Sequence, residues 1–82
     1  MRIFVGNLAY TTTDAELRQL FESYGKVRHV MILVDRTTGR SRGFGFVGMP
    51  DSTQAQAAMA GLNRRALGGR TLIVNEARPW EE

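Results

Sequence analysis

The 82-residue chain contains no cysteine and only one histidine. The lack of cysteine excludes disulfides and thiol catalysis, and it gives no sign of an oxidising compartment. The single histidine, His29, has no partner at ligand spacing, which favours a solvated residue over a catalytic or metal-binding one. No serine, histidine and aspartate set, metal cluster or pair of carboxylates suited to acid–base chemistry is recognisable. We therefore expect neither an enzyme nor a bound cofactor or metal.

Long apolar runs are also absent. The longest, residues 30–34, is far too short to span a bilayer, and no signal peptide precedes the first predicted strand. We therefore expect a cytoplasmic protein without a membrane partner. At 82 residues the chain can hold one domain with a modest core, and a hydrophobic content of 43% indicates a globular chain.

Acidic residues are fewer than basic ones, eight against eleven, so the net charge is +3. Ten of the eleven basic residues are arginine, which forks onto phosphates and stacks on aromatic planes better than lysine does. The charge alone is weak evidence for a nucleic-acid ligand, because many proteins without one reach the same value.

Residues 42–49 place two phenylalanines, three glycines and one arginine within eight positions. In a β-strand, successive side chains point to opposite faces. One face then carries Arg42, Phe44, Phe46 and Gly48, and the other carries Gly43, Gly45, Val47 and Met49. The second set fits a core, so the two phenylalanines are left on the outer face. Exposed aromatic surface of this kind usually binds a partner.

Two helices are predicted by capping signals followed by apolar stripes. Residues 13–16 have the form of a capping box, and the apolar positions that follow predict a helix from about Asp14 to Ser23 or Tyr24. A second stripe after Pro50 predicts a helix over residues 52–62. The two stripes consist of Leu17, Leu20, Phe21 and Tyr24, and of Ala55, Ala58, Met59 and Leu62. Each helix has only one apolar side to bury.

Strands are predicted over residues 2–5, 27–34, 42–49 and 71–75. Alternation points Phe4, His29, Met31, Leu33 and Ile73 outward and Ile3, Val5, Val30, Ile32, Val34, Leu72 and Val74 inward. The connector at residues 63–69 could hold a small hairpin. The resulting β-α-β-β-α-β order lets two helices cover one face of a four-stranded antiparallel sheet and leaves the other face open.

Residues 3–8 (IFVGNL) and 42–49 (RGFGFVGM) resemble the RNP hexamer and octamer of the RNA recognition motif family. The chain resembles in particular the small stand-alone prokaryotic members and the corresponding domain of glycine-rich RNA-binding proteins. The resemblance implies an α+β, ferredoxin-like sandwich with strand order 4-1-3-2, formed by residues 1–77 and followed by a tail at 78–82. It also implies a monomer that binds single-stranded RNA, with single-stranded DNA as a possible second ligand.

The resemblance also assigns roles to single residues. Phe4 and Phe46 match positions that stack on successive bases, Phe44 matches one that packs on sugars, and Arg42 matches one that pairs with a phosphate. Asn75 matches an outward position that often contacts a base. The predicted RNA-binding set is completed by Arg2, Arg40 and Arg78. Arg36 and Arg40, in the loop before the third strand, could clamp the nucleic-acid strand as it crosses the sheet, and a solvated loop position is an equal alternative. Trp80 could stack on a base, fold back on the sheet or hang free.

Two positions depart from the family pattern. Met49 stands where an aromatic residue is usual, and because it points inward it should alter the core alone. Gly48, where a longer side chain is common, should leave that edge of the aromatic face bare. We expect Arg64 and Arg65 on the helix side, where they would serve solubility.

Three other functions compete with RNA binding. The outer face could instead dock a protein, which would not need Arg42 or the loop arginines. An enzyme on the same fold, such as an acylphosphatase, would need a phosphate-binding loop, and residues 7–12 contain neither glycine nor arginine. The glycines at 43, 45 and 48 match a dinucleotide fingerprint, but that motif must open a helix, and here it lies inside a predicted strand.

Overall fold

The computed structural model describes residues 1–77 of the chain. The elements follow the predicted β-α-β-β-α-β order, with one short hairpin inserted before the last strand. They are β1 (Arg2–Gly6), α1 (Asp14–Glu22), β2 (His29–Val34), β3 (Ser41–Gly48), α2 (Ser52–Leu62), β4 (Ala66–Leu67), β5 (Arg70–Thr71) and β6 (Ile73–Glu76). Over these 77 residues neither helix has the length and apolar character needed to cross a membrane.

One antiparallel sheet contains strands β2, β3, β1 and β6 in that spatial order. Because β6 is the fourth predicted strand, this is the predicted order 4-1-3-2 read from the other edge. Across the central pair, Ile3 lies opposite Val47 and Phe4 lies opposite Phe46. The predicted α+β, ferredoxin-like architecture is therefore confirmed, and it places the two motif strands side by side.

Both helices cover the same face of the sheet, and the core lies between them and the strands. The buried apolar residues are Ile3, Val5, Leu8, Leu17, Phe21, Val27, Val47, Met49, Ala55, Ala58, Leu62, Leu72 and Val74. Full burial of a side chain such as Leu17 or Phe21 stabilises the fold by about 1.5–3 kcal/mol. Met49 is 1% exposed, which confirms its predicted inward position.

Each helix begins at a side-chain cap, which for α1 is the predicted capping box. The Thr13 hydroxyl accepts a hydrogen bond from the Glu16 N–H at 3.2 Å, and the Glu16 carboxylate accepts one from the Thr13 N–H at 2.8 Å. Asp51 caps α2 by accepting from the Gln54 N–H at 2.9 Å. These bonds satisfy N–H groups that have no partner inside the helix.

Strand β2 ends at Val34 as predicted, but its start and the direction of its last side chain differ from the prediction. It begins two residues later than the predicted strand over 27–34. Val34, predicted to point inward, is 54% exposed because the pairing register shifts between Ile32 and Val34, which interrupts the alternation. Beside this bulge the two backbones approach closely, since a Cβ on Gly45 would collide with the carbonyl group of Met31.

The last strand begins later than the predicted range of 71–75. Thr71 belongs instead to the small hairpin, where it pairs with Ala66. Gly68 and Gly69 have φ values of +61° and +80°, and positive φ at both turn positions is the geometry of a tight two-residue hairpin. The hairpin foreseen for the connector therefore extends two residues further and delays the start of β6.

Candidate nucleic-acid interface

Three phenylalanine rings lie together on the sheet face that the helices leave open. Phe4 comes from β1, and Phe44 and Phe46 come from β3; we call these three residues the aromatic platform. The ring centroids are separated by 5.9 Å for Phe4 and Phe44, 5.9 Å for Phe4 and Phe46, and 6.4 Å for Phe44 and Phe46. Such separations are those of favourable aromatic pairs. The rings thus support one another while each remains partly exposed.

The strand neighbours of these rings fix their direction. Ile3, Val5 and Val47 are 0% exposed in the core, so the pleat turns the residues between them to the open face. Gly6 adds a further constraint on Phe4, because a Cβ on Gly6 would lie only 2.8 Å from the ring. The Phe4 ring therefore lies across Gly6, a position that a larger residue would block.

Two arginines flank the aromatic platform. The guanidinium carbon of Arg2 lies 4.3 Å from the centroid of Phe46, and that of Arg42 lies 5.8 Å from the centroid of Phe44. Both distances fall within the range of cation–π contacts. The predicted set of Phe4, Phe44, Phe46, Arg2 and Arg42 is thus brought onto one surface.

The edge strands extend this surface. Asn75 on β6 lies opposite Phe4 and is exposed, as expected for a residue beside the platform. Met31 lies opposite Phe46 and is 43% exposed, and Ile73 lies opposite Gly6 and is 47% exposed. The open face therefore continues as apolar surface on both sides of the rings.

The loop between β2 and β3 is held by Asp35. Its carboxylate accepts hydrogen bonds from the N–H groups of Thr37 at 2.7 Å and Thr38 at 3.2 Å. These two bonds, and to a lesser degree the positive charge of Arg42, hold the pKa of the Asp35 carboxyl below its ordinary value. The ionised Asp35 side chain therefore stabilises the conformation of the loop.

This loop carries Arg40 to the end of the sheet. Arg40 is exposed and lines a shallow groove together with Arg42 and Tyr10. Arg40 therefore adds a third positive charge, at the Arg42 end of the sheet, to those of Arg2 and Arg42. The predicted contacts of Arg78 and Trp80 lie outside the described residues.

The prediction of a bare edge at Gly48 is wrong. Gly48 is buried and lies opposite His29, and a Cβ placed on Gly48 would collide with the His29 imidazole. The imidazole therefore lies over the glycine and fills the gap. This contact depends on the pairing of two strands, so the sequence of the octamer alone could not indicate it.

The two neighbouring arginines of the connector have separate positions. Arg65 lines a groove with residues of α1 such as Glu16 and Gln19, on the helix side as predicted. Arg64 instead lines a groove with Ile73 and Asn75 at the β6 edge, so its prediction is corrected. A φ of +69° at Arg64 turns the chain there and separates the two side chains.

Three residues outside the predicted set also lie at the end of the platform. Tyr10 is 69% exposed. Arg70, from the small hairpin, donates to the side-chain oxygen of Asn7 through Nη2 at 2.6 Å and Nε at 3.2 Å. Tyr10, an aromatic residue in a loop, is a signal from which an exposed contact residue could have been predicted. Nothing in the sequence relates Asn7 to Arg70, which lies 63 positions away.

A sheet with helices on one face and an arginine-flanked aromatic cluster on the other is the arrangement known from domains that bind single-stranded nucleic acids. Residues 3–73 match the RNA recognition motif family. The chain therefore belongs to this family, which confirms the resemblance carried by residues 3–8 and 42–49.

Individual relatives agree with this assignment. A protein of Nostoc sp. (strain PCC 7120), named “Putative RNA-binding protein RbpD”, is 46% identical over 82 residues, covering 100% of this chain and 87% of the relative. “Glycine-rich RNA-binding protein 10” of Brassica napus is 49% identical over 77 residues, covering 94% of this chain and 46% of that protein. The solved structure “SXL-LETHAL PROTEIN/RNA COMPLEX” superimposes with a TM-score of 0.91 at 33% identity, covering 99% of this chain and 48% of that one. The family and these names indicate an RNA-binding protein and not an enzyme, as the sequence predicts.

Proposed function

We propose that this domain binds single-stranded RNA by stacking unpaired bases on the aromatic platform, without catalysis. The observation that carries the proposal is the grouping of Phe4, Phe44 and Phe46 on one open face between Arg2 and Arg42. Support comes from family membership and from the similarity to a structure solved with RNA.

The choice of a single strand follows from the chemistry of the platform. Only an unpaired base can turn a free π-face toward a protein ring, and each such stack is worth about 1–3 kcal/mol. In this proposal Phe4 and Phe46 carry two successive bases and Phe44 packs on the sugars. Asn75, opposite Phe4 in the sheet, offers hydrogen bonds to the edge of a stacked base.

The arginines supply charge and register. Phosphate contacts position a nucleic acid without reading its sequence, so Arg42 fixes where the strand lies and leaves base choice to the sheet edges. Stacking is indifferent to the sugar, and single-stranded DNA is therefore a second ligand in this proposal. One copy of the domain contains the complete platform, so the proposed binding unit is a monomer.

A titration with fluorescently labelled oligonucleotides tests the proposal. The wild type is expected to bind an unstructured RNA and to bind the same sequence as a duplex much more weakly. The double variant Phe4→Ala/Phe46→Ala is expected to lose most of this affinity, whereas the matched control Phe46→Tyr keeps a ring and binds. Equal affinity of the wild type and the double variant would contradict stacking. An affinity independent of salt would instead favour a protein partner on the same face.

A further inference from the structure

At one end of the open face lies a groove that has no ligand in the proposed function, in which bases stack on Phe4 and Phe46. It has a volume of about 320 Å³ and lies between Phe4 and Phe44 on one side and the loop after β1 on the other. Ligand pockets begin at roughly 300 Å³, so the groove is suited to one small unit. The residues of its wall with the most distinctive chemistry are Tyr10, Arg42 and Arg70.

Arg70 is held in this wall by a specific contact. Asn7 accepts two of its N–H groups through Oδ1, and the Asn7 amide donates to the Thr71 carbonyl at 2.7 Å. Asn7 adopts a φ of +58°, a left-handed conformation that asparagine tolerates better than most residues. Of the five donors of a guanidinium, three remain available within residues 1–77 for a ligand. The orientation of Arg70 is thus set before any ligand arrives.

The remaining walls suit a nucleotide. Arg42 provides a second guanidinium, and no carboxylate of the described residues lines the groove. Asp35 lies in the adjoining groove, where its oxygen already accepts two backbone N–H groups. Tyr10 is 69% exposed and lines the wall of the groove that faces the aromatic platform. Its ring is therefore accessible to a ligand in the groove. Positive charge beside an unshared aromatic side chain is complementary to a phosphate joined to a base.

We propose that this groove binds one further nucleotide of the same strand, with its phosphate between Arg42 and Arg70 and its base against Tyr10. The inference rests on the proposed function, because it adds a nucleotide to a strand already bound on the aromatic platform. Asn7 acts here as a positioning residue for Arg70.

The test compares affinities for oligouridylates of two to eight nucleotides at one salt concentration, by NMR titration for the shortest and anisotropy for the others. The variants are Tyr10→Ala, Arg70→Gln and Asn7→Gly; glycine keeps the positive φ accessible while removing the oxygen that holds Arg70. The matched control is Arg65→Gln, which loses the same charge on the helix side. A homopolymer is used because the gain from multiple binding registers is common to all the proteins and cancels in their ratio.

The ratio of variant to wild-type Kd is expected to be near one for the dinucleotide. It is expected to rise to about fivefold or more once the oligomer is longer than the aromatic platform, for Tyr10→Ala and Arg70→Gln alike, with a smaller rise for Asn7→Gly. A ratio that is the same at every length, or as large for Arg65→Gln, would overturn the extra site alone. A wild type that binds no oligomer would overturn the proposed function and the extra site with it.

Discussion

Phenylalanine has two different roles in this chain, and the element in which it lies determines which role it has. Phe21 on α1 is 0% exposed in the core, whereas Phe46 on β3 is partly exposed on the open face. Alternation along β3 was sufficient to predict the second position, because Val47 beside it has to be buried. The spacing of apolar residues in α1 was sufficient for the first.

A matched pair of substitutions follows from this contrast. Phe46→Ala is expected to weaken RNA binding by about 1–3 kcal/mol and to leave the domain folded. Phe21→Ala is expected to reduce the free energy of unfolding by about 3–5 kcal/mol, because it opens a cavity in the core. Anisotropy titration and urea denaturation of both variants measure the two effects. Equal loss of stability in the two variants would show that Phe46 belongs to the core.

Glycines of β3 provide a second comparison. A Cβ on Gly45 would collide with the backbone of β2 at Met31, whereas the three atoms nearest to a Cβ on Gly48 all belong to the His29 side chain. A side chain can rotate away and a paired backbone cannot. Gly45→Ala is therefore expected to lower the free energy of unfolding by about 1–3 kcal/mol, and Gly48→Ala by clearly less. Thermal denaturation of the two variants checks this order, and a more stable Gly45→Ala would contradict the close approach of β2 and β3.

At the scale of elements, local signals predicted the starts of both helices, because a cap involves residues only three apart. Pairing between strands was less predictable. The bulge that exposes Val34, and the hairpin that takes Thr71 from the last strand, both depend on a partner strand and not on the residues themselves. The dependence on partner strands also explains which parts of the candidate site could be predicted. The platform follows from alternation and strand order, while the contact of Arg70 with Asn7 requires the hairpin to fold back beside β1.

The loop between β2 and β3 has a pH dependence that can be stated with its sign. Because hydrogen bonds from Thr37 and Thr38 lower the pKa of folded Asp35, its ionised form is favoured in the fold. The stabilisation it gives is present above the unfolded-state pKa and is lost as the pH falls through the folded-state pKa. In an NMR titration the Asp35 carboxyl is expected to protonate at lower pH than it does in urea, and the Thr37 and Thr38 amide shifts should follow it. Asp35→Asn should abolish that transition, and equal midpoints in buffer and urea would contradict the loop geometry.

For the molecule as a whole, the distribution of arginine matters more than the net charge of +3. Arg2, Arg40, Arg42 and Arg70 lie on or beside the open face, while Arg65 lies on the helix side. The sequence predicted the faces of Arg2, Arg42 and Arg65. It misplaced Arg64 and gave no position for Arg70, because both depend on how the connector after α2 folds. A ligand on the open face therefore meets a concentration of positive charge that the net value understates.

The salt dependence of binding measures this distribution directly. A single strand that contacts about three phosphates releases counterions so that log K falls with log salt at a slope of about −2, and each lost contact should reduce the slope by about 0.7. Arg42→Gln and Arg65→Gln change the net charge equally. Arg42→Gln is expected to weaken binding and to reduce the slope by the value of about one phosphate contact, because Arg42 lies beside Phe44. Arg65→Gln is expected to leave the affinity and the slope unchanged. Anisotropy titrations at four or more salt concentrations provide the slopes. Equal slopes for the two variants would mean that the charge acts through the whole molecule and not through a located phosphate contact.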